Sequence, residues 1–100
     1  MMLEKRFEEE LVKACEIAQK EYGYNATRFL NTISKFGGVK TAKEIIRKNN
    51  ISDSFDKLQK AGRIDLTMEA IITKPKYAEL FTEDEVNSCF DLLCEYGYYK

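Results

Sequence analysis

Six interruptions set the length of every piece this chain can form: Gly23, Gly37-Gly38, Asn49-Asn50, Gly62, Pro75 and Gly97. Between them the apolar residues recur three and four apart, the period of one helix face. Over residues 3–21 the recurring set is Leu3, Phe7, Leu11, Ala14, Cys15 and Ala18, with Glu4, Glu8, Glu9, Lys13, Glu16 and Lys20 opposite. The intervals that follow are too short for long rods. They predict a stack of short helices that bury their apolar stripes against one another.

The boundary residues place the remaining helices. Asn25 is a suitable N-cap for a helix over about 26–36, with Phe29, Leu30, Ile33 and Phe36 inward. Gly37-Gly38 stops it, and the next runs over 39–48 with Val39, Ala42, Ile45 and Ile46 inward. A fourth helix spans 53–61, capped by Ser52 or Asp53, with Phe55, Leu58 and Ala61 inward. Residues 63–66 read as a short extended link. Thr67 or Asp65 caps a fifth helix over 67–73, and Pro75, welcome at a first helical position, starts one more turn over 75–80 anchored by Tyr77, Leu80 and Phe81. Thr82 and Glu85 form a capping box, and three acids suit the positive end of the last helix, 83–96. Its expected apolar face is Val86, Cys89, Phe90, Leu93 and Cys94. No strand pattern stands out; residues 71–73 are the one ambiguous run. The fold class is all-α: a single compact bundle of five to six short helices, with residues 1–100 as one domain.

Several function classes lose their usual chemistry. The chain has no His, which removes the commonest general base and zinc ligand. No apolar run nears the roughly 18 residues that suggest a membrane span, and the opening MMLEKRFEEELVK is unlike a secretory signal. Cys15, Cys89 and Cys94 form no CxxC pair and all fall on apolar stripes. Buried, reduced thiols in a cytoplasmic setting are the reading, and a nucleophilic Cys lacks the base it needs. No motif supports a glycosidase-like carboxylate pair. The chain carries no cofactor motif, and an enzyme is not expected.

Charge is unevenly spread. Residues 28–64 hold nine Lys/Arg and three acids, a net +6, while residues 65–100 hold three Lys and eight acids, a net −5. Either the asymmetry marks a partner surface or the two segments pair within the fold. The basic segment contains a candidate helix-turn-helix: residues 39–48, a turn at 49–52, and residues 53–61. Lys40, Lys43, Arg47, Lys48, Lys57, Lys60 and Arg63 would meet phosphates. Asp53 and Asp56 argue against it, because they open the helix that would lie nearest the bases. An ordinary helical hairpin explains the same residues.

Three further groups stand out. Arg63, Asp65, Thr67 and Glu69 alternate as ligand-orienting residues do, but caps and an ion pair account for them; two carboxylates alone make a poor metal site. Tyr22, Tyr24, Tyr96, Tyr98 and Tyr99 flank two glycines and suit a protein interface, or seal the core ends. Glu79, Glu83, Asp84, Glu85, Asp91 and Glu95 imitate a nucleic-acid backbone or simply solvate a helix face.

The residues 22–29 run YGYNATRF, followed by Gly37-Gly38, Ala42-Lys43, Phe55 and Leu58, then GRIDLTME at 62–69, Leu80-Phe81-Thr82 with Glu85, and Tyr96-Gly97-Tyr98. Over residues 22–98 the chain resembles a small bacterial module found alone or appended to larger proteins, some linked to DNA restriction or defence. That resemblance implies a cytoplasmic, non-catalytic accessory role and no catalytic residues. The expected function is therefore a protein-interaction or accessory module. The alternative is DNA binding through the basic face of residues 28–64. Partner identity and oligomeric state are not legible in the chain.

Overall fold

Helix α1, Met2–Tyr22, is the element on which most of the others pack. Its stripe of Phe7, Leu11, Ala14, Cys15 and Ala18 is buried, with Leu3 half-buried at the start. The computed structural model describes residues 2–23, 25–48 and 55–99. Among these are α2 (Thr27–Phe36), α3 (Gly38–Arg47), α4 (Phe55–Lys60), α5 (Met68–Ile72) and α6 (Glu83–Glu95), with 3-10 turns at Ile64–Leu66 and Pro75–Leu80. There is no strand among the described residues. The all-α expectation holds, and the Cα radius of gyration of 12.4 Å is that of a folded domain of this length.

Two apolar clusters hold the bundle. The larger joins Phe7 and Leu11 of α1 to Ile33, Ala42, Ile71, Ile72, Tyr77, Phe81 and Cys89. Phe7 meets the rings of Tyr77 and Phe81 edge-on at 5.3 and 5.2 Å. The smaller cluster is Phe55, Ala70 and Leu93, covered by Ile64, Leu92 and Tyr99. Burying each large side chain contributes about 1.5–3 kcal/mol, so the larger cluster dominates.

The turn between α2 and α3 depends on two adjacent glycines. Gly37 sits at φ 88°, ψ 156°, a region open in practice only to glycine. Gly38 lets α3 begin against α1: a Cβ there would lie 3.1 Å from both Cα and Cβ of Glu8. Glu8 in turn accepts the Gly38 N–H at 2.9 Å, satisfying a donor that the helix start leaves open.

Several boundaries match their chemical signals. Thr67 caps α5 by accepting the Ala70 N–H at 3.2 Å, and the Thr82–Glu85 capping box is complete. Other expectations are corrected. Residues 63–66 are no extended link, because Leu66 and Thr67 donate back to the carbonyls of Arg63 and Ile64 and close a 3-10 turn. Ala26, not Asn25, takes the N-cap place of α2, although Asn25 Oδ1 still accepts the Thr27 N–H at 3.0 Å. Ala61 lies past the end of α4 and is exposed. Phe36, Phe90 and Cys94 also face outward. Phe36 is the last residue of α2, immediately before the Gly37 turn. On α6 the inward stripe is Cys89 and Leu93 with half-buried Val86, and Phe90 and Cys94 fall one step round the helix from it. The N-terminal part of the expected fourth helix, residues 53–54, lies outside the described residues.

Candidate functional site: an aromatic end and a neutralised basic face

The basic residues are distributed over separate parts of the surface and are largely paired. Lys43 of α3 bonds Glu85 of α6 at 2.8 Å and lies over the Phe81 ring. Arg47 pairs with Glu44 at 2.8 Å, and Lys60 with Asp56 at 3.2 Å. Arg63 grips Asp65 with Nε and Nη2, both at 3.1 Å, and gives Nη1 to the Tyr22 hydroxyl at 3.0 Å. Lys40, Lys48 and Lys57 have no ion-pair partner among the described residues; Lys40 sits 5.6 Å over the Phe36 ring. Pairing within the fold thus accounts for part of the charge asymmetry. Lys43–Glu85 and Arg63–Asp65 both link the basic middle to the acidic last third.

Lys40, Lys43 and Arg47 do share one feature, a shallow cleft of about 520 Å³ between α3 and α6. Its walls also carry Glu44, Asp84 and Glu85, so it is not a cationic groove. Lys57, Lys60 and Arg63 belong to α4 and the turn after it, which pack with the smaller cluster, whereas α3 packs with the larger. A helix-turn-helix needs its two helices packed as a unit. Its turn, 49–52, lies outside the described residues.

The Arg63–Glu69 group resolves into separate roles. Arg63 and Asp65 pair; the guanidinium beside Asp65 holds that carboxyl below its usual value. Thr67 is a cap. Glu69 is 2% exposed, within α5 and away from the solvent that Asp65 meets. The two carboxylates belong to no group of three or more metal-ligating side chains among the described residues.

The aromatic residues gather at the other end of α6. Phe90, Tyr96 and Tyr98 are 40, 43 and 39% exposed, which is unusual for large rings that a core could have taken. They are also held in place. Phe90 stacks on Tyr99 with centroids 5.0 Å apart and planes at 19°. Tyr98 meets Tyr99 at a tilt with centroids 4.9 Å apart, and Tyr96 meets Phe55 edge-on at 5.1 Å. The Tyr99 hydroxyl lies 2.8 Å from Thr73 Oγ1, whose own proton goes to the Ala70 carbonyl. Tyr99 is therefore the donor, and its ring touches two exposed ones. Partial burial, then Tyr99 and the Asp65 carboxylate nearby, push the Tyr98 phenol above its ordinary pKa. Tyr24 lies outside the described residues.

Phe90 was not legible as a surface residue, because its place in the apolar stripe of α6 predicts burial. The same holds for Phe36, which is 50% exposed beneath Lys35 and Lys40. No signal in the sequence distinguishes either from a core ring.

The thiols divide two to one. Burial, with Glu16 adding, pushes Cys15 up to about 11. Burial, with Glu69 and Glu85 adding, pushes Cys89 up to about 12. Cys94 is exposed on α6 beside Phe90, against the expectation of three buried thiols. Thiolate content and access govern reactivity. In the native protein one thiol, Cys94, is expected to react with a disulfide reagent within minutes, and Cys94→Ser is expected to abolish that phase. Two fast thiols would contradict the packing described.

Comparison of the chain with protein-family models, with curated proteins and with solved structures finds no match. No helix among the described residues is long and apolar enough to cross a membrane.

Proposed function

We infer that this chain is a non-catalytic module that docks a protein partner through the aromatic end of α6. The observation that supports this reading most is the ordered exposure of Phe90 and Tyr98 against Tyr99 and of Tyr96 against Phe55. Aromatic rings preset in one arrangement lose little entropy on binding and bury much area, which is why interfaces favour them. A bacterial, accessory and defence-linked setting rests on the family resemblance alone. The test is co-purification of tagged chain from its source cell. Phe90→Ser with Tyr98→Ser is expected to lose the captured partner, while Lys40→Glu with Arg47→Glu retains it, both variants melting within a few degrees of wild type. Equal capture by all three would sink the reading.

DNA binding through Lys40, Lys43 and Arg47 is the second reading, favoured by their shared cleft. It requires breaking two existing ion pairs, Lys43–Glu85 and Arg47–Glu44. Titration of labelled duplex and single-stranded DNA at low and moderate salt separates the readings. Binding that falls steeply with salt and with Lys43→Glu/Arg47→Glu would favour DNA.

A further inference from the structure

We propose that the partner segment received by the aromatic end of α6 is arginine-rich. This rests on the docking reading above and specifies its chemistry. Helix α6 carries five acids and no Lys or Arg. At 100° per residue, Phe90 and Cys94 form one exposed strip, and Asp84, Asp91 and Glu95 form the next strip round. Asp91 and Glu95, one turn apart, have no ion-pair partner among the described residues. The surface is therefore a set of fixed ring faces beside unpaired carboxylates, and nothing cationic on α6 completes it.

The molecule already contains the completed version of that arrangement. Arg63 lies 5.8 Å over the Tyr22 ring while forking both oxygens of Asp65. A ring face takes the flat guanidinium through its quadrupole, and a carboxylate takes the donors at the edge. Phe90 supplies a ring, and Asp91 and Glu95 on the next strip of α6 the carboxylates, for the same recognition from outside; Tyr98, tilted against Tyr99, extends the ring surface. Arg fits both halves at once; Lys, a compact and strongly hydrated charge, matches neither the plane nor the fork as well.

The probe is a labelled decapeptide of alternating Arg and Ala, followed by fluorescence anisotropy with the full chain at 50 and 300 mM salt. Lys-Ala and Glu-Ala decapeptides are the comparisons. The Arg peptide is expected to bind at least three-fold tighter than the Lys peptide, and the Glu peptide not at all. Asp91→Lys/Glu95→Lys is expected to weaken Arg-peptide binding at least ten-fold. Phe90→Ala/Tyr98→Ala is expected to weaken it at least five-fold at 300 mM salt, where plain charge attraction is screened. Lys40→Glu/Arg47→Glu leaves it unchanged or tighter. Equal affinity for Arg and Lys peptides with no effect of Phe90→Ala/Tyr98→Ala would overturn the proposal, and so would absence of binding at 50 mM salt. If that result accompanies partner capture that depends on Phe90 and Tyr98, the docking reading stands and only the arginine partner falls. If capture is lost as well, both fall. Self-association of the chain, seen by sedimentation and abolished by Asp91→Lys/Glu95→Lys, would make a second copy the occupant and also overturn it.

Discussion

Replacing Gly37 by Ala and Gly38 by Val together is expected to remove about 3 kcal/mol of stability, a fall in Tm of roughly 12–24 °C for a domain of this size. Two independent penalties combine. Gly37 has φ 88° and ψ 156°, a backbone region where a residue with a Cβ is strained by about 1–3 kcal/mol. Any Cβ at position 38 lies 3.1 Å from the backbone of Glu8, so α3 must move off α1, and overpacking of that kind costs about 1–3 kcal/mol. The same shift would pull the Gly38 N–H away from Glu8 Oε1. A circular-dichroism melt checks the result. A double variant melting within 2 °C of wild type would mean that the α2–α3 junction is looser than its geometry.

Glu10 is expected to give the second large effect. This α1 carboxylate accepts the Tyr77 hydroxyl at 2.6 Å and Lys76 Nζ at 3.2 Å, and pairs with Lys74 as well. It ties the first helix to the Pro75–Leu80 turn. Partial burial alone would raise its pKa, but the hydrogen bonds from Lys74, Tyr77 and Lys76 outweigh that and hold it at about 2, against an ordinary 4.5. Burial and Glu10 together push the Tyr77 phenol up to about 12, so it stays a donor throughout the accessible range. Because the folded-state value is depressed, the unfolded chain takes up the Glu10 proton first on acidification. The contribution is complete above about pH 5 and is lost as pH falls toward 2. At neutral pH, Glu10→Gln is expected to lose about 1–2 kcal/mol, after allowing for solvent screening at a half-buried group. Between pH 5 and 2 its stability is expected to fall less steeply than that of wild type. Urea titrations at pH 7, 4 and 3 test this; parallel pH profiles for the two proteins would contradict it.

The legible parts of the chain are those whose chemistry is local. Thr82 with Glu85, Thr67 before a helical run, Pro75 at the start of a turn and Gly37-Gly38 as a break each state their structure within four residues. What the chain does not state is which of several equivalent residues another element will cover. Glu8, Glu9 and Glu10 form one acidic run, yet Glu8 meets Gly38 and Glu10 meets Tyr77, residues 30 and 67 positions away. The apolar arc of α6 is wider than the surface α3 and α5 offer it, so Cys89 and Leu93 go in while Phe90 and Cys94 remain outside. Periodicity gives the direction of the arc and not its covered width. The basic segment shows the same limit from the charged side. Lys43 and Arg47 read as phosphate contacts until Glu85 and Glu44 are seen beside them.

The candidate site follows that division. The tyrosines around Gly97 are visible in the sequence, and an interface is one of the two readings they allow. Phe90, which completes the ring set with Tyr98 and Tyr99, is not visible, because tertiary contacts hold the tail against it: Tyr99 bonds Thr73 and packs on the smaller cluster, and the Tyr98 N–H returns to the Leu93 carbonyl.

The most direct measurement is photo-crosslinking in the source cell with a benzophenone amino acid placed in turn at Tyr98 and at Lys57. Both positions are exposed, and they differ in what surrounds them: stacked rings in one case, basic α4 in the other. Docking through the aromatic end predicts a discrete protein adduct from position 98 that disappears with Phe90→Ser, and none from position 57. An adduct from position 57 alone, or one from position 98 that survives Phe90→Ser, would contradict the account.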